Sequence, residues 1–170
     1  MSTAGQVIIF AYGSNMHSSR LKARTPSATP LGAGQLKGHA LRWHKAGRDG
    51  SGKCDVEHTG RASDAVWGVV YTLDAAEKPD LDRAEALGTG YTEKCATIHL
   101  GDETIEAWLY VAIDTRPALE PYDWYKAFVV EGAREHALPA DYIAALEAVA
   151  AQPDDDEARA ALNARILAGP

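Results

Sequence analysis

The sequence predicts an α+β protein in which strands come first and helices gather toward the C-terminal end. Two observations carry this. Runs rich in β-branched and aromatic residues, "VIIFAY" at 7–12, "VWGVVYTL" at 66–73, "YTEKCATIHL" at 91–100 and "IEAWLYV" at 105–111, read as strands. They are joined mostly by short turns and not by regular helical crossovers. From Asp123 onward the apolar spacing becomes helical. That order favours a mixed or closed sheet over a doubly wound parallel one. Closure into a barrel does not follow from the pattern alone.

The elements follow in chain order. Val7–Tyr12 is a buried strand that stops abruptly in "YGSN". Asn15 or Ser18 is positioned to cap a short helix over Ser19–Arg24, stopped before Pro26. Leu41 and Trp43 alternate with Arg42 and His44, the period of a half-buried strand. "AGRDGSGK" at 46–53 holds three glycines and reads as a loop. In Val66–Leu73, Gly68 marks a bulge or the close approach of another backbone. Asp74 can cap a helical turn that Pro79 interrupts, and Asp80–Leu87 is a further short helix stopped by Gly88. "GDET" at 101–104 is a hairpin turn between two strands. Trp124, Ala127, Phe128 and Glu131 form a helical stripe within Asp123–Ala137. Ala140–Ala151 follows, with Pro139 at a first-turn position. Asp155–Leu167 closes the series, acidic at its start and followed by Gly169.

At 170 residues, with 46% hydrophobic and 24% charged residues, the chain has the size and composition of one globular domain. The reading is a single domain over 1–170, with 152–170 as a helical extension. A net charge of −7 and the lack of a Lys/Arg cluster argue against a nucleic-acid partner. No stretch approaches the roughly 20 apolar residues of a membrane span, and "VIIFAY" lacks the flanks of a signal peptide. Cys54 and Cys95 lie far apart and read as free thiols, so a cytoplasmic location is expected.

Three places could carry chemistry. After the first strand, Gly13 permits a positive φ or a ligand's close approach. The N–H groups of Ser14 and Asn15 would lie unpaired at a helix start, able to meet a developing oxyanion. An ordinary strand-to-helix turn is the plainer alternative. Glu85 in "LDRAEALGTGY" would share a helix face with Leu81, where a desolvated carboxylate suits proton transfer. Its plainer alternative is an exposed residue paired with Arg83 or Lys78. Asp82 falls on another face and reads as a surface charge. Tyr125, beside Lys126, belongs to an amphipathic helix with its hydroxyl at the rim. His44, Cys54, Glu57 and His58 match no standard zinc spacing, and Gly88-Thr89-Gly90 is too short for a phosphate loop.

Taken together, "FAYGSNM" at 10–16, "RTPSA" at 24–28, "DGSGK" at 49–53, "VWGVVY" at 66–71, "LDRAEALGTGY" at 81–91 and "WYKAFVVEGAREHALPADY" at 124–142 form an ordered set. That set resembles the γ-glutamylcyclotransferase family, including the related γ-glutamyl-deprotecting enzyme of butirosin biosynthesis. The resemblance reaches to about Ile143 and departs from the family mainly in "CDVEHTGRASD" at 54–64. It implies a small β-barrel or strongly curved mixed sheet with surrounding helices. It also implies an enzyme in which the α-amine of a γ-glutamyl group attacks its own γ-carbonyl, releasing 5-oxoproline and an amine. Glu85 then matches the catalytic acid/base. Ile9, Phe10, Ala11, Tyr12, Gly13, Ser14 and Asn15 match the substrate-binding segment, and Tyr125 lines the same pocket. Neither metal nor organic cofactor is needed, and the partner is a small γ-glutamyl molecule bound by a monomer or homodimer. Cysteinylglycine, an amino acid and another amine remain open as leaving groups. Enzymes of a specialised pathway that remove or transfer γ-glutamyl groups, and a binding module that has lost turnover, are the alternatives.

Overall fold

A computed structural model describes residues 5–170. The strands are β1 (Gln6–Ala11), β2 (Thr29–Lys37), β3 (His39–Ala46), β4 (Gly52–His58), β5 (Ala65–Asp74), β6 (Tyr91–Leu100) and β7 (Glu103–Ala112). Five of them close into a barrel in the order β1-β5-β2-β6-β7, and β3 with β4 makes a separate two-stranded sheet. β1 runs antiparallel to β5, with Ile9 opposite Tyr71. It runs parallel to β7, with Ile9 opposite Trp108, and that contact closes the ring. The α+β reading therefore holds, with a barrel as the form of the sheet. Val69, Val70, Tyr71 and Leu73 of β5, Ile98 of β6 and Leu109 of β7 are almost wholly buried. Gly68 proves to be a close approach: a Cβ there would lie 2.4 Å from the Ala11 carbonyl oxygen.

Two strands lay hidden in the sequence. β2, "TPLGAGQLK", carries Pro30, Gly32 and Gly34, residues that disfavour a strand interior. It is a strand because β5 and β6 offer it ladder partners, with a register shift between Pro30 and Gly32. β4 begins at Gly52, inside the expected loop, because it pairs along β3.

The helices are α1 (Ser18–Arg24), α2 (Lys78–Ala84), α3 (Asp123–Glu135), α4 (Ala140–Glu147) and α5 (Glu157–Ala168). Neither Asn15 nor Ser18 caps α1. Residues Ser14–Met16 form a 3-10 turn, and His17 takes the cap position without a side-chain bond. Asp74 likewise makes no capping bond. Pro79 sits in the first turn of α2, where its missing N–H costs nothing, and does not interrupt it. α2 ends before Gly88: Ala86 takes φ 50°. Leu87 N–H donates to Asp82 C=O and Ala86 N–H to Arg83 C=O, the paired bonds of a Schellman stop. Glu85 is thus the cap residue of α2 and not part of its last turn. Asp156 caps α5, its carboxylate accepting the Arg159 N–H at 3.0 Å.

Candidate active site

β1 carries the chain from the barrel core to its mouth, and the 3-10 turn follows at once. The strand end borders an open cavity of about 420 Å³. Its walls include every residue the sequence singled out for the site: Ile9 through Asn15, Glu85 and Tyr125. Cys54, Tyr91 and Tyr110 complete the lining. Two hydrogen bonds close the 3-10 turn, Met16 N–H to Gly13 C=O at 3.1 Å and His17 N–H to Ser14 C=O at 3.2 Å. The N–H groups of Ser14 and Asn15 precede both and have no partner within the turn. Gly13 has φ −113°, so positive φ is not what it supplies. It supplies room: a Cβ there would lie 3.1 Å from Cys54 Cβ and 3.2 Å from the Tyr125 hydroxyl.

The Schellman stop of α2 throws Glu85 toward that strand end. Its carboxylate is neither exposed nor paired with Arg83 or Lys78. Oε1 accepts Asn15 Nδ2–H at 2.7 Å and Arg24 Nη1–H at 2.8 Å. Arg24 Nη1 also donates to Asn15 Oδ1 at 2.9 Å, closing a triangle. The side chain of Glu85 is 14% exposed. Among the described residues Oε2 accepts no protein donor, and Glu85 borders the cavity. Arg83 pairs instead with Asp80, and Lys78 with Asp82 and Glu93. Asp82 is not a free surface charge, since it also accepts the Tyr110 hydroxyl at 2.6 Å.

Tyr125 is buried at both ends, contrary to the expected rim hydroxyl. Its oxygen accepts the Cys54 N–H at 3.0 Å. α3 can bring it there because Gly132 lies against the turn at Met16 and His17; a Cβ at 132 would come 2.6 Å from His17 N. Lys126, its neighbour, faces away and donates to the Glu147 carbonyl. Tyr91 donates its hydroxyl to Cys54 C=O at 2.8 Å, and Tyr12 donates to Tyr110 C=O. Burial pushes the phenols of Tyr12, Tyr91 and Tyr125 well above their ordinary range, so they remain neutral hydrogen-bonding walls. Burial also pushes the Cys54 thiol up to about 12, too high for a nucleophilic thiolate at neutral pH.

Sequence reasoning missed Tyr91, Tyr110, Cys54, Arg20 and Arg24. The first three occupy buried strand positions, where a tyrosine or cysteine looks like any core residue. Arg24 and Arg20 gave a fainter signal, two basic residues one helical turn apart directly after "YGSN". Arg20 is half-buried, donates to Ser14 Oγ and Asn163 Oδ1 at 3.0 Å each, and lies over the Phe128 ring. Burial, and then the nearby Arg24 charge, lower it to about 10. Through Asn163, α5 is tied to the back of the site.

The residues considered for a metal do not converge. His44 Nε2 lies 2.7 Å from Asp55 Oδ2, Glu57 pairs with Arg42, and His58 stacks edge-on against His39. No group of three or more His, Cys, Asp or Glu side chains gathers among the described residues.

Comparison with known proteins agrees with this architecture. A model of the AIG2-like family matches residues 65–146. A human γ-glutamylcyclotransferase is 29% identical over 158 residues, covering 87% of this chain and 80% of that protein. A bovine γ-glutamylcyclotransferase is 28% identical over the same length and with the same coverage. A solved γ-glutamyl cyclotransferase superposes with a TM-score of 0.81 at 23% identity, covering 94% of this chain and 99% of that one. The chain is thus similar in sequence over most of its length to these γ-glutamylcyclotransferases and shares the solved protein's fold.

Proposed function

We propose that this protein is a cofactor-independent γ-glutamylcyclotransferase with Glu85 as its acid/base. The observation that supports it most is the placement of Glu85: pinned through Oε1, with Oε2 free at a tyrosine-walled cavity. In this reading Oε2 takes a proton from the substrate's α-ammonium. The freed amine attacks the γ-carbonyl, a bond forms between that nitrogen and the γ-carbon, and the carbonyl oxygen becomes an oxyanion. The N–H groups at Gly13 and Ser14 are suited to meet that charge. The intermediate collapses, the original amide C–N bond breaks, Glu85 returns its proton to the departing nitrogen, and the ring nitrogen gives up its second proton, so a neutral lactam and an ammonium are left. No enzyme nucleophile is required, because ring closure within one bound molecule has high effective molarity. Ile9, Phe10, Ala11, Tyr12, Asn15 and Tyr125 would hold the γ-glutamyl chain in its folded-back shape. The neutral Cys54 thiol argues against an acyl-enzyme route.

The test separates cyclisation from hydrolysis. Turnover of a γ-glutamyl amino acid in heavy-oxygen water is expected to yield unlabelled 5-oxoproline. Acetylating the substrate's α-amine should abolish amine release, with binding of the acetylated compound verified by competition. Labelled glutamate as the first product, or cleavage of the bound acetylated compound, overturns the reading. Binding of γ-glutamyl compounds without release of amine would leave a binding module.

A further inference from the structure

The inner cavity opens, past walls shared by Ser14, Glu85, Tyr91 and Tyr125, into an outer basin of about 780 Å³. This basin is strongly basic in a chain whose net charge is −7. Three of its six cations are ion-paired, while Arg20 is hydrogen-bonded to Ser14 and Asn163 and Arg48 is exposed. Arg24 is neutralised by Glu85, Arg83 by Asp80 and Lys53 by Asp49. Lys45 is different. The residue is 8% exposed, and its Nζ makes no hydrogen bond or ion pair among the described residues. Its nearest described support is the Tyr91 ring, 4.8 Å away to the centroid. Tyr91 lines both chambers, so the ammonium stands at their junction. Gly90 keeps that approach open, since a Cβ at 90 would come 3.2 Å from Lys45 Nζ. A ring face offsets little of the cost of holding an unpaired cation out of water. Such a cation is satisfied by an anion that arrives with the ligand.

We propose that Lys45 is a specificity-determining residue that receives a carboxylate on the departing amine. The proposal rests on the cyclotransferase reading. The γ-glutamyl end fills the inner cavity, so the leaving amine must project into the outer basin. In an amino acid or peptide leaving group, a carboxylate or amide carbonyl lies two bonds from the departing nitrogen. A leaving group with a free carboxylate there gains a charge-assisted bond to Lys45. A neutral amine gains nothing, and a polycationic amine meets Lys45 and Arg20 as like charges.

The experiment compares γ-glutamyl-alanine with γ-glutamyl-alaninamide, which differ only in that carboxylate. A charge-assisted bond of this kind corresponds to a preference of about tenfold or more in KM for the acid. Lys45→Met should erase the preference by raising KM for the acid while leaving KM for the amide and both kcat values within about threefold. Lys45→Arg should restore it. Both compounds are also titrated calorimetrically into Glu85→Gln protein, which keeps the carboxylate's shape but cannot take a proton. Tighter binding of the acid, lost on adding Lys45→Met, supports the proposal. Equal binding of both compounds overturns the role of Lys45 and leaves the cyclotransferase reading standing. Binding of neither, with no 5-oxoproline released by the wild-type protein, overturns both.

Discussion

At Glu85 the contacts fall on one oxygen. Asn15 and Arg24 both donate to Oε1, so the carboxylate is held without consuming the oxygen that would trade a proton. Glu85→Gln keeps an acceptor for both donors, so its folding should match the wild type. Its turnover should fall at least ~100-fold, the low end for loss of a general acid/base. Steady-state assay of 5-oxoproline release checks this, and near-normal turnover would remove Glu85 from the mechanism. Glu85 was legible as a candidate because a carboxylate spaced four from Leu81 invites the question. Its partner was not legible. Arg24 lies 61 residues away in sequence, and nothing local distinguishes it from any other basic residue closing a short helix.

At the scale of elements, two contacts place the proposed site side chains. The Schellman stop directs Glu85 out of α2, and the seating of α3 on the 3-10 turn directs Tyr125 to Cys54 N–H. Gly132 permits the second. A methyl group there would lie 2.6 Å from His17 N and 2.7 Å from Met16 C, both backbone atoms that cannot swing aside. Gly132→Ala should therefore lift α3 and destabilise the protein by about 1–3 kcal/mol, the usual cost of overpacking. It should raise KM at the same time, because Tyr125 moves with its helix. Urea unfolding and steady-state kinetics on the same preparation check both effects. Unchanged stability would show that α3 is not held by this contact.

For the whole molecule, buried histidines set the response to mild acid. Burial lowers His17 and His39 below the ordinary histidine value, aided at His39 by the Lys94 charge against the pull of the Lys37 carbonyl. His17 Nδ1 has no hydrogen-bond partner among the described residues. The unfolded chain therefore takes up protons first as pH falls, and stability falls with it. Asp49 works in a lower window. Burial raises it, but bonds from Ser51 and Lys53 outweigh that and hold it below its usual value. Its contribution persists until pH drops beneath the carboxylate range. The unfolding free energy should thus decline between about pH 7 and pH 5, where histidines titrate and carboxylates do not. His17→Leu should flatten that decline. Urea titrations across the window check it, and stability that rises toward pH 5 would contradict the assignment.

The sequence by itself determined the class of fold, four of the five barrel strands and the helical C-terminal part, and its family resemblance pointed to the residues that meet at the cavity. The first three rest on local physics: alternating or β-branched runs make strands, and 3.6-residue spacing makes helices. Tertiary structure decided the rest. β2 is a strand only because β5 and β6 bond to it, against the preference of its proline and glycines. Barrel closure depends on β1 meeting β7, nearly a hundred residues apart. Asp82, which looks like a surface charge beside Lys78, is turned to the Tyr110 hydroxyl because β7 passes there. The free ammonium of Lys45 also belongs to this second kind. A lysine in a strand says nothing of its partners, and only packing leaves this one beside Tyr91 with no carboxylate bonded to its ammonium among the described residues.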